Sequence, residues 1–590
     1  MERILEFIDR QWKWIVVGLW LLFCIYFVID RWNAIRFFAL PDTDDNLRMS
    51  QVRALLAGQD WFDLRQYKMN PPAGADVHWS RLVDLPIAGL ILTLRPFIGG
   101  VDAERVAITV APMLPFLLLF FSVSLIVRRL IDRRAYPFAL AAFFFAYSAT
   151  GMFMPARIDH HGWQLALLAM TMAGLADPKQ ARGGVVTGLG TALSLAIGLE
   201  MMIYLAIAAA AVVLFWVWEP EERRRLSAYA ASLGGGTAVG FLLFASYANR
   251  APVCDALSPV WLSDALLGSA LVFGLALISI GDLKRRLALA AGAGVIVAAF
   301  HALMWPQCLT RLEGVSPEVY DLWLSHVREA RPIYRHGWQT VVAVVSIPVT
   351  GLLGWLILAW VKRKDTDLLR RILAVATPAI VAGLLLLWQT RAGPAAQVLG
   401  VSGATALLWI SVPLAQSSKH MLVRVFGTAG LVVIGLGAAA PAASQFYPVQ
   451  KKKPASRAVD KANRQCPTLW AMRPIAQQPK GMVFTFVDLG PRLITVTHHS
   501  AVAGPYHRNG EQIADVMKAF RGDEARARKI IASYNADYLL ICLNMSTATI
   551  FRAETPNGFY SHLSRGRVPD WLTPVPLPKN SPFKMWRVKR

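Results

Sequence analysis

Long apolar runs recur along this chain, and nothing constrains its fold more. About 20 apolar residues rising about 1.5 Å each cross the hydrocarbon of a bilayer, whereas a buried strand needs only a short block. Such runs lie at Trp14 to Val28, Val106 to Val127, Tyr136 to Met154, Gly162 to Ala176, Val185 to Gly198 and Met201 to Trp218. More follow at Ala228 to Ser246, Leu262 to Ile280, Leu287 to Trp305, Val341 to Trp360, Ile372 to Trp388, Val398 to Leu414 and Val425 to Ala440. At 590 residues, 55% hydrophobic and mean hydropathy +0.42, the chain is too apolar for a soluble enzyme. It reads as a polytopic α-helical membrane protein of about thirteen spans.

Short loops dense in Lys and Arg stay on the cytoplasmic side. Arg128, Arg129, Arg133 and Arg134, then Arg223 to Arg225, Lys284 to Arg286, Lys362 to Lys364 and Lys419 to Arg424 form such loops. They alternate with PARIDHHG, NRAPVCDALSP and RAGPAAQ, which are poor in Lys and Arg. An odd span number with the amino terminus inside places everything after Pro441 outside, although Lys451 to Lys453, directly after the last run, would by the same rule prefer the cytoplasm. The first run lacks a following small-residue cleavage site and reads as a retained anchor. Leu85 to Ile98 is apolar but short and holds Arg95 and Pro96, which suits a helix lying in the interface.

This reading divides the chain into a transmembrane region, 1–441, with outer loops at 31–105 and 306–337, and an α/β domain at 442–590 on the periplasmic side of a bacterial inner membrane. In the tail, Gly481 to Val487 and Asp537 to Cys542 read as strands, and Glu511 to Phe520 and Ala525 to Tyr534 as helices. Pro441 to Ala458, rich in Pro, Ser and Lys, reads as the linker. Net charge is +23 and concentrates in the tail, pointing to anionic head groups or an acidic ligand; no nucleic-acid partner is expected. Cys254 with Cys308, and Cys466 with Cys542, are candidate disulfides in an oxidising compartment.

Ionisable groups beside a bilayer are costly and mark pathways or sites. Three clusters fall on the outer side: Asp42, Asp44 and Asp45 with Arg48 in PDTDDNLRM; Asp159, His160 and His161 in RIDHHGWQ; and Glu329 in SHVREARPIYRHG. Carboxylates with an imidazole suit a divalent ion, Mn or Mg, because hard oxygen donors select hard cations and one imidazole tilts the choice toward Mn. The spacing of Asp159 and His161 lets a short extended turn point both side chains the same way.

In these residues the sequence resembles the catalytic subunit of oligosaccharyltransferases, membrane glycosyltransferases of the GT-C class. The family's acidic first-loop motif looks like DTDDNLR, its Asp-His-His motif like DHH, and its Thr-Ile/Val-x-Glu motif like HVRE ending at Glu329. Span count and motif order agree over nearly the whole chain, and YKMNPPAGADVHWSRLVDLP is similar to the family stretch before the second span. The resemblance implies a metal held by Asp42 or Asp44, Asp159, His161 and Glu329, with Asp42, Asp44 and Glu329 as catalytic carboxylates. Spacing to Arg48 favours Asp42 by analogy with oligosaccharyltransferases and Asp44 by analogy with aminoarabinose transferases. Arg391 matches the arginine that binds the lipid phosphate. Two departures stand out: Gln164 replaces the family's Glu after the His pair, and FVDLG (Phe486 to Gly490) replaces WWDYG, whose tryptophans hold an Asn-x-Ser/Thr acceptor. Asp488, His507, Arg508 and Asn509 are the acceptor-binding candidates.

The implied activity is transfer of a sugar or oligosaccharide from a polyprenyl phosphate or diphosphate carrier to a glycan, lipid or protein acceptor on the outer side. The competing expectation is a transporter or flippase of a lipid-linked or anionic solute, whose charges would line a midplane pathway.

Overall fold

The computed structural model describes residues 2–310, 312–444 and 453–589, so Lys451 and Lys452 of the basic cluster after the last run lie outside the described residues. Eight helices among the described residues are long and apolar enough to cross a membrane: Trp12–Asp30, Gly100–Leu130, Pro220–Phe244, Pro259–Leu277, Leu283–Met304, Trp338–Val361, Thr366–Leu385 and Thr390–Gln416. A ninth candidate is a broken pair, Tyr136–Ala142 with Tyr147–Phe153, bent by 75°. The remaining expected runs are helical but shorter or less apolar: His161–Leu175, Gln180–Ile197, Met202–Trp218 and Val423–Gly435. His161–Leu175 is buried along almost its whole length, and a helix that faces protein instead of lipid needs no continuous apolar surface. The stretch expected in the interface forms the 15-residue helix Asp84–Ile98, too short to cross, with Leu92, Phe97 and Ile98 exposed.

Connections alternate between two ends of the helical region. At one end arginines gather on Asp177: Arg129 Nη2 is 2.8 Å and Arg182 Nε 2.6 Å from its carboxylate. Beside them Arg225 donates to the Gly174 and Asp177 carbonyls at 3.3 and 2.8 Å. These cations close the C-terminal end of helix His161–Leu175, where the macrodipole favours positive charge. Helix contacts in the bilayer region use small residues. A Cβ on Gly351 or Gly354 would collide with the backbone of Gly400 or Gly403, so only glycine lets helices Trp338–Val361 and Gly393–Gln416 meet backbone to backbone.

At the opposite end sits the C-terminal domain. Its sheet contains β1 (Met482–Phe484), β2 (Ser500–Ala501), β3 (Tyr538–Cys542), β4 (Leu572–Pro574) and β5 (Phe583–Val588), in the order β2-β1-β3-β5-β4. β1 runs parallel to β2 and β3, while β5 runs antiparallel to β3 and β4. The two helices expected from periodicity are present as Gly510–Arg521 and Glu524–Ser533, and the second expected strand as β3, whereas the first is shortened to Met482–Phe484, with Val487 already in the turn Val487–Leu489. Strands β2, β4 and β5 carry no alternating signal, because β2 and β4 are two or three residues long and β5 lies at the chain end with mixed burial. Both candidate disulfides are closed, Cys254–Cys308 and Cys466–Cys542.

The first long connection docks onto this domain. Ala501 N donates to Lys68 O at 2.9 Å and Asn70 N to Ala501 O at 2.8 Å, so residues 68–70 add alongside β2. Arg492 Nη1 reaches Phe38 O at 3.0 Å and Asn46 Oδ1 at 3.1 Å. Tyr506 donates its hydroxyl to Thr43 O at 2.9 Å.

Candidate active site

Helix Thr43–Leu56 opens with Asp42 as its N-cap, and the reciprocal capping carboxylate is Asp45, whose Oδ2 accepts from Asp42 N at 3.1 Å. The other oxygen of Asp45 accepts from the backbone N–H groups of Ile158 and Asp159 at 2.8 and 3.0 Å. One buried side chain thus ties the first acidic motif to the second. Burial and the neighbouring Asp159 and Asp42 push the Asp45 pKa well up. Three backbone donors and Arg157, 3.5 Å away, all favour the acceptor-only carboxylate.

Arg157 occupies the centre of the acidic group. Its Nη1 is 2.6 Å from Asp42 Oδ2, and its Nη2 is 2.8 Å from Asp159 Oδ2. The turn preceding it holds Ala156 at φ 73, fixed by its N–H donating to Ile108 O at 2.8 Å. Asp159 is buried behind this arginine, next to His161, whose Nδ1 is 3.1 Å from Asp159 Oδ1. His160 and His161 stack with ring centroids 4.6 Å apart. Both turn toward Glu200: His160 Nε2 is 2.7 Å and His161 Nε2 3.5 Å from Glu200 Oε1. His160 Nδ1 also lies 3.4 Å from Arg48 Nη2, and Arg48 pairs with buried Asp84 at 2.6 Å while lying over the Trp79 ring.

Glu200 was not anticipated. Its signal is a single carboxylate in the very short connection between two apolar runs, a costly residue to place at a membrane edge. Gln164 supports it: its Nε2 donates to Ser194 O at 3.1 Å and Gly198 O at 3.0 Å, fixing the entry to that connection. Gln164 is therefore buried scaffolding, and the carboxylate facing the His pair comes from the turn after helix Gln180–Ile197.

Across the cleft, Arg391 in the turn Thr390–Ala392 pairs with Glu329 in the turn Arg328–Ala330 at 2.8 Å, with both side chains about half exposed. Asp42, Asp44, Arg157, His160, His161, Glu200, Glu329, Arg391 and Asp488 line one cavity of about 430 Å³, with Trp79, Tyr506 and His507 completing the wall. Its lining comes from several separate connections of the helical region, including the turn after Gln180–Ile197, and from the C-terminal domain.

The tail candidates separate. Asp488 lines the cleft and accepts from Thr547 Oγ1 at 2.6 Å. Phe486 and Val487, standing where the family has tryptophans, are buried in the domain core, Phe486 against Phe520, Phe551 and Tyr560. His507 and Arg508 both engage Asp255, at 2.5 Å from Nε2 and 2.7 Å from Nη2, so they join the domain to the connection before helix Pro259–Leu277. Asn509 is buried.

Burial and then Asp42 push the Asp44 carboxyl up to about 7. Burial also opposes ionisation of Asp42, but Arg157 outweighs it and holds Asp42 below its ordinary value. Asp159 and Glu200 are likewise held low against burial, the first chiefly by Arg157 and then His161, the second by His161 and then His160. Burial raises Asp488.

A divalent ion fits this donor set. His160, His161 and Glu200 each offer an atom within 4.8 Å of the others. Asp159 Oδ2 and His161 Nδ1 are buried without an aligned hydrogen bond despite their charged neighbours. Arg157 already neutralises the Asp42 and Asp159 side, so the open donors cluster toward Glu200.

No protein-family model and no curated protein matches the sequence. Among solved structures the chain is similar to the archaeal oligosaccharyltransferase AglB from Archaeoglobus fulgidus in complex with an inhibitory peptide and a dolichol-phosphate. The two share 15% identity at a TM-score of 0.68, over 96% of this chain and 73% of that one. The oligosaccharyltransferase of the same organism tethered to an acceptor peptide containing the NVT sequon gives 16% identity and 0.64, covering 95% and 72%. Its complex with Zn and sulfate gives 15% and 0.60, covering 94% and 71%. The chain has the fold of these membrane glycosyltransferases, as its motif order implied.

Proposed function

We propose that this protein is a glycosyltransferase moving a sugar or oligosaccharide from a polyprenyl phosphate or diphosphate carrier to an acceptor on the periplasmic side of a bacterial inner membrane, assisted by Mn or Mg. The observation that carries the proposal is the single cleft in which Asp42, Asp44, His161, Glu200, Glu329 and Arg391 converge from separate connections, in a fold shared with oligosaccharyltransferases. A carrier phosphate held at head-group level would reach this cleft while its tail stays in lipid.

The ion would be held by Asp159, His161, Asp42 or Asp44 and Glu329, joined by His160 and Glu200. When bound, it supplies Lewis-acid neutralisation of charge on the leaving phosphate. Arg391 binds the same phosphate oxygens by exchanging its Glu329 partner for them, a charge-assisted contact. Asp42, fixed by Arg157 and by its N-cap position, orients the incoming acceptor hydroxyl or amide. Asp44, beside it and titrating about 7, is suited to take the acceptor's proton near neutral pH. The buried FVDLG segment leaves no tryptophan pair to grip an Asn-x-Ser/Thr peptide, which favours a different acceptor. The transporter reading is the weaker one, because the site's ionisable groups gather at one end of the helices instead of at mid-depth.

The test is transfer from short-chain polyprenyl-linked sugars by purified protein in proteoliposomes, alongside mass spectrometry of envelope glycans in a deletion strain. Replacing Asp42 and Asp44 together by Asn should cut turnover by about 100- to 10,000-fold, the usual worth of a general base. Undiminished transfer by the double variant would refute the mechanism.

A further inference from the structure

A second group of ligating side chains lies in the wall of the same cleft and has no part in the proposed reaction. His78 comes from the first long connection, Asp255 from the connection before helix Pro259–Leu277, and His507 from the C-terminal domain. One donor atom of each lies within 4.8 Å of the others. His507 Nε2 is 2.5 Å from Asp255 Oδ2, and the His78 and His507 rings are 4.7 Å apart. The hydrogen bond between His507 and Asp255 accounts for two of the three residues. It leaves His78 unexplained, since among the described residues no side chain or backbone group hydrogen-bonds its ring.

Two imidazoles and one carboxylate are a donor set for a borderline cation of the zinc class, with a fourth position open to water. Metal–ligand bonds of about 2.0–2.1 Å place tetrahedral donors about 3.3 Å apart, so His78 needs to close, and the hydrogen-bonded His507 and Asp255 atoms to open, each by on the order of 1 Å. The surroundings orient the ligands as outer partners of a metal site do. Arg508 donates to both Asp255 oxygens at 2.8 and 2.7 Å. The neighbouring Cys254 is tied to Cys308, and Asn249 Nδ2 donates to His78 O at 3.3 Å. The His78 ring centroid is 6.3 Å from that of His160, which leaves room for a centre separate from the His160 and Glu200 group.

We propose that His78, Asp255 and His507 form a second divalent-metal site of the zinc class, which fastens the C-terminal domain to two connections of the helical region. The site locks the domain over the cleft, and it stands independently of the glycosyl-transfer reading.

The experiment is zinc stoichiometry of the full-length protein after equilibration with zinc and removal of loosely bound ions by a weak chelator. H78A and H507A should each carry one zinc per chain fewer than wild type, whereas H161A should keep the zinc that those two lose. Equal zinc in wild type and H78A, with both running as one symmetric species on size exclusion, would overturn the site. A gain-of-signal variant covers misfolding: H78C substituted with cobalt should show a thiolate-to-cobalt charge-transfer band in the near ultraviolet that wild type lacks. A monodisperse H78C without that band would overturn it equally.

Discussion

Replacing Asp45 by Asn tests whether the two acidic motifs must be held together. Asp45 offers one oxygen to the Ile158 and Asp159 N–H groups and the other to Asp42 N. Asparagine has the same size but only one accepting atom. If its oxygen faces Ile158 and Asp159, its amide group meets the Asp42 N–H donor to donor; if it flips, two donors lose their partner. At least one buried backbone donor is left without its acceptor, which costs about 1–3 kcal/mol. The expected local cost is about 2 kcal/mol, concentrated where Asp42 and the Asp159 to His161 turn meet. A displacement of about 1 Å in catalytic groups lowers rates about 100-fold. The D45N protein should therefore melt at a lower temperature and lose about two orders of magnitude in kcat for transfer, although Asp45 does not line the cleft. Wild-type melting together with a turnover within a few-fold of wild type would refute the positioning role.

Glu200→Gln removes the shared partner of His160 and His161 and should weaken divalent-metal activation of transfer by about 10- to 100-fold, read as the metal concentration giving half-maximal rate. Arg391→Ala removes a charge-assisted contact worth about 1.5–3 kcal/mol, so KM for the lipid-linked donor should rise about 10- to 100-fold with the acceptor KM unchanged. Cys466→Ser opens a bridge spanning 76 residues, which loop-closure entropy values at about 4 kcal/mol, and should speed limited proteolysis of the C-terminal domain without altering the helical region.

Much of the architecture is legible in the sequence because hydrophobicity is a local property. A run such as Trp14 to Val28 must become a helix in lipid whatever surrounds it, since no water is present to satisfy its backbone. Alternating basic loops similarly foretell which connections share an end, and Asp42, His161, Glu329 and Arg391 do share one cleft. Partnership is not local. Asp42, Asp44 and Asp45 are near equivalents on paper. Only the tertiary arrangement makes Asp42 the partner of Arg157, leaves Asp44 facing the cleft, and turns Asp45 into the tie to the second motif. Glu200 gains meaning only once two helices bring its short turn against the His pair, and His78, Asp255 and His507 lie far apart in sequence until the C-terminal domain docks. Apolar surface is driven out of water by composition alone, whereas the strength of a charge or ligand contact depends on distances of a few ångströms between segments that folding brings together.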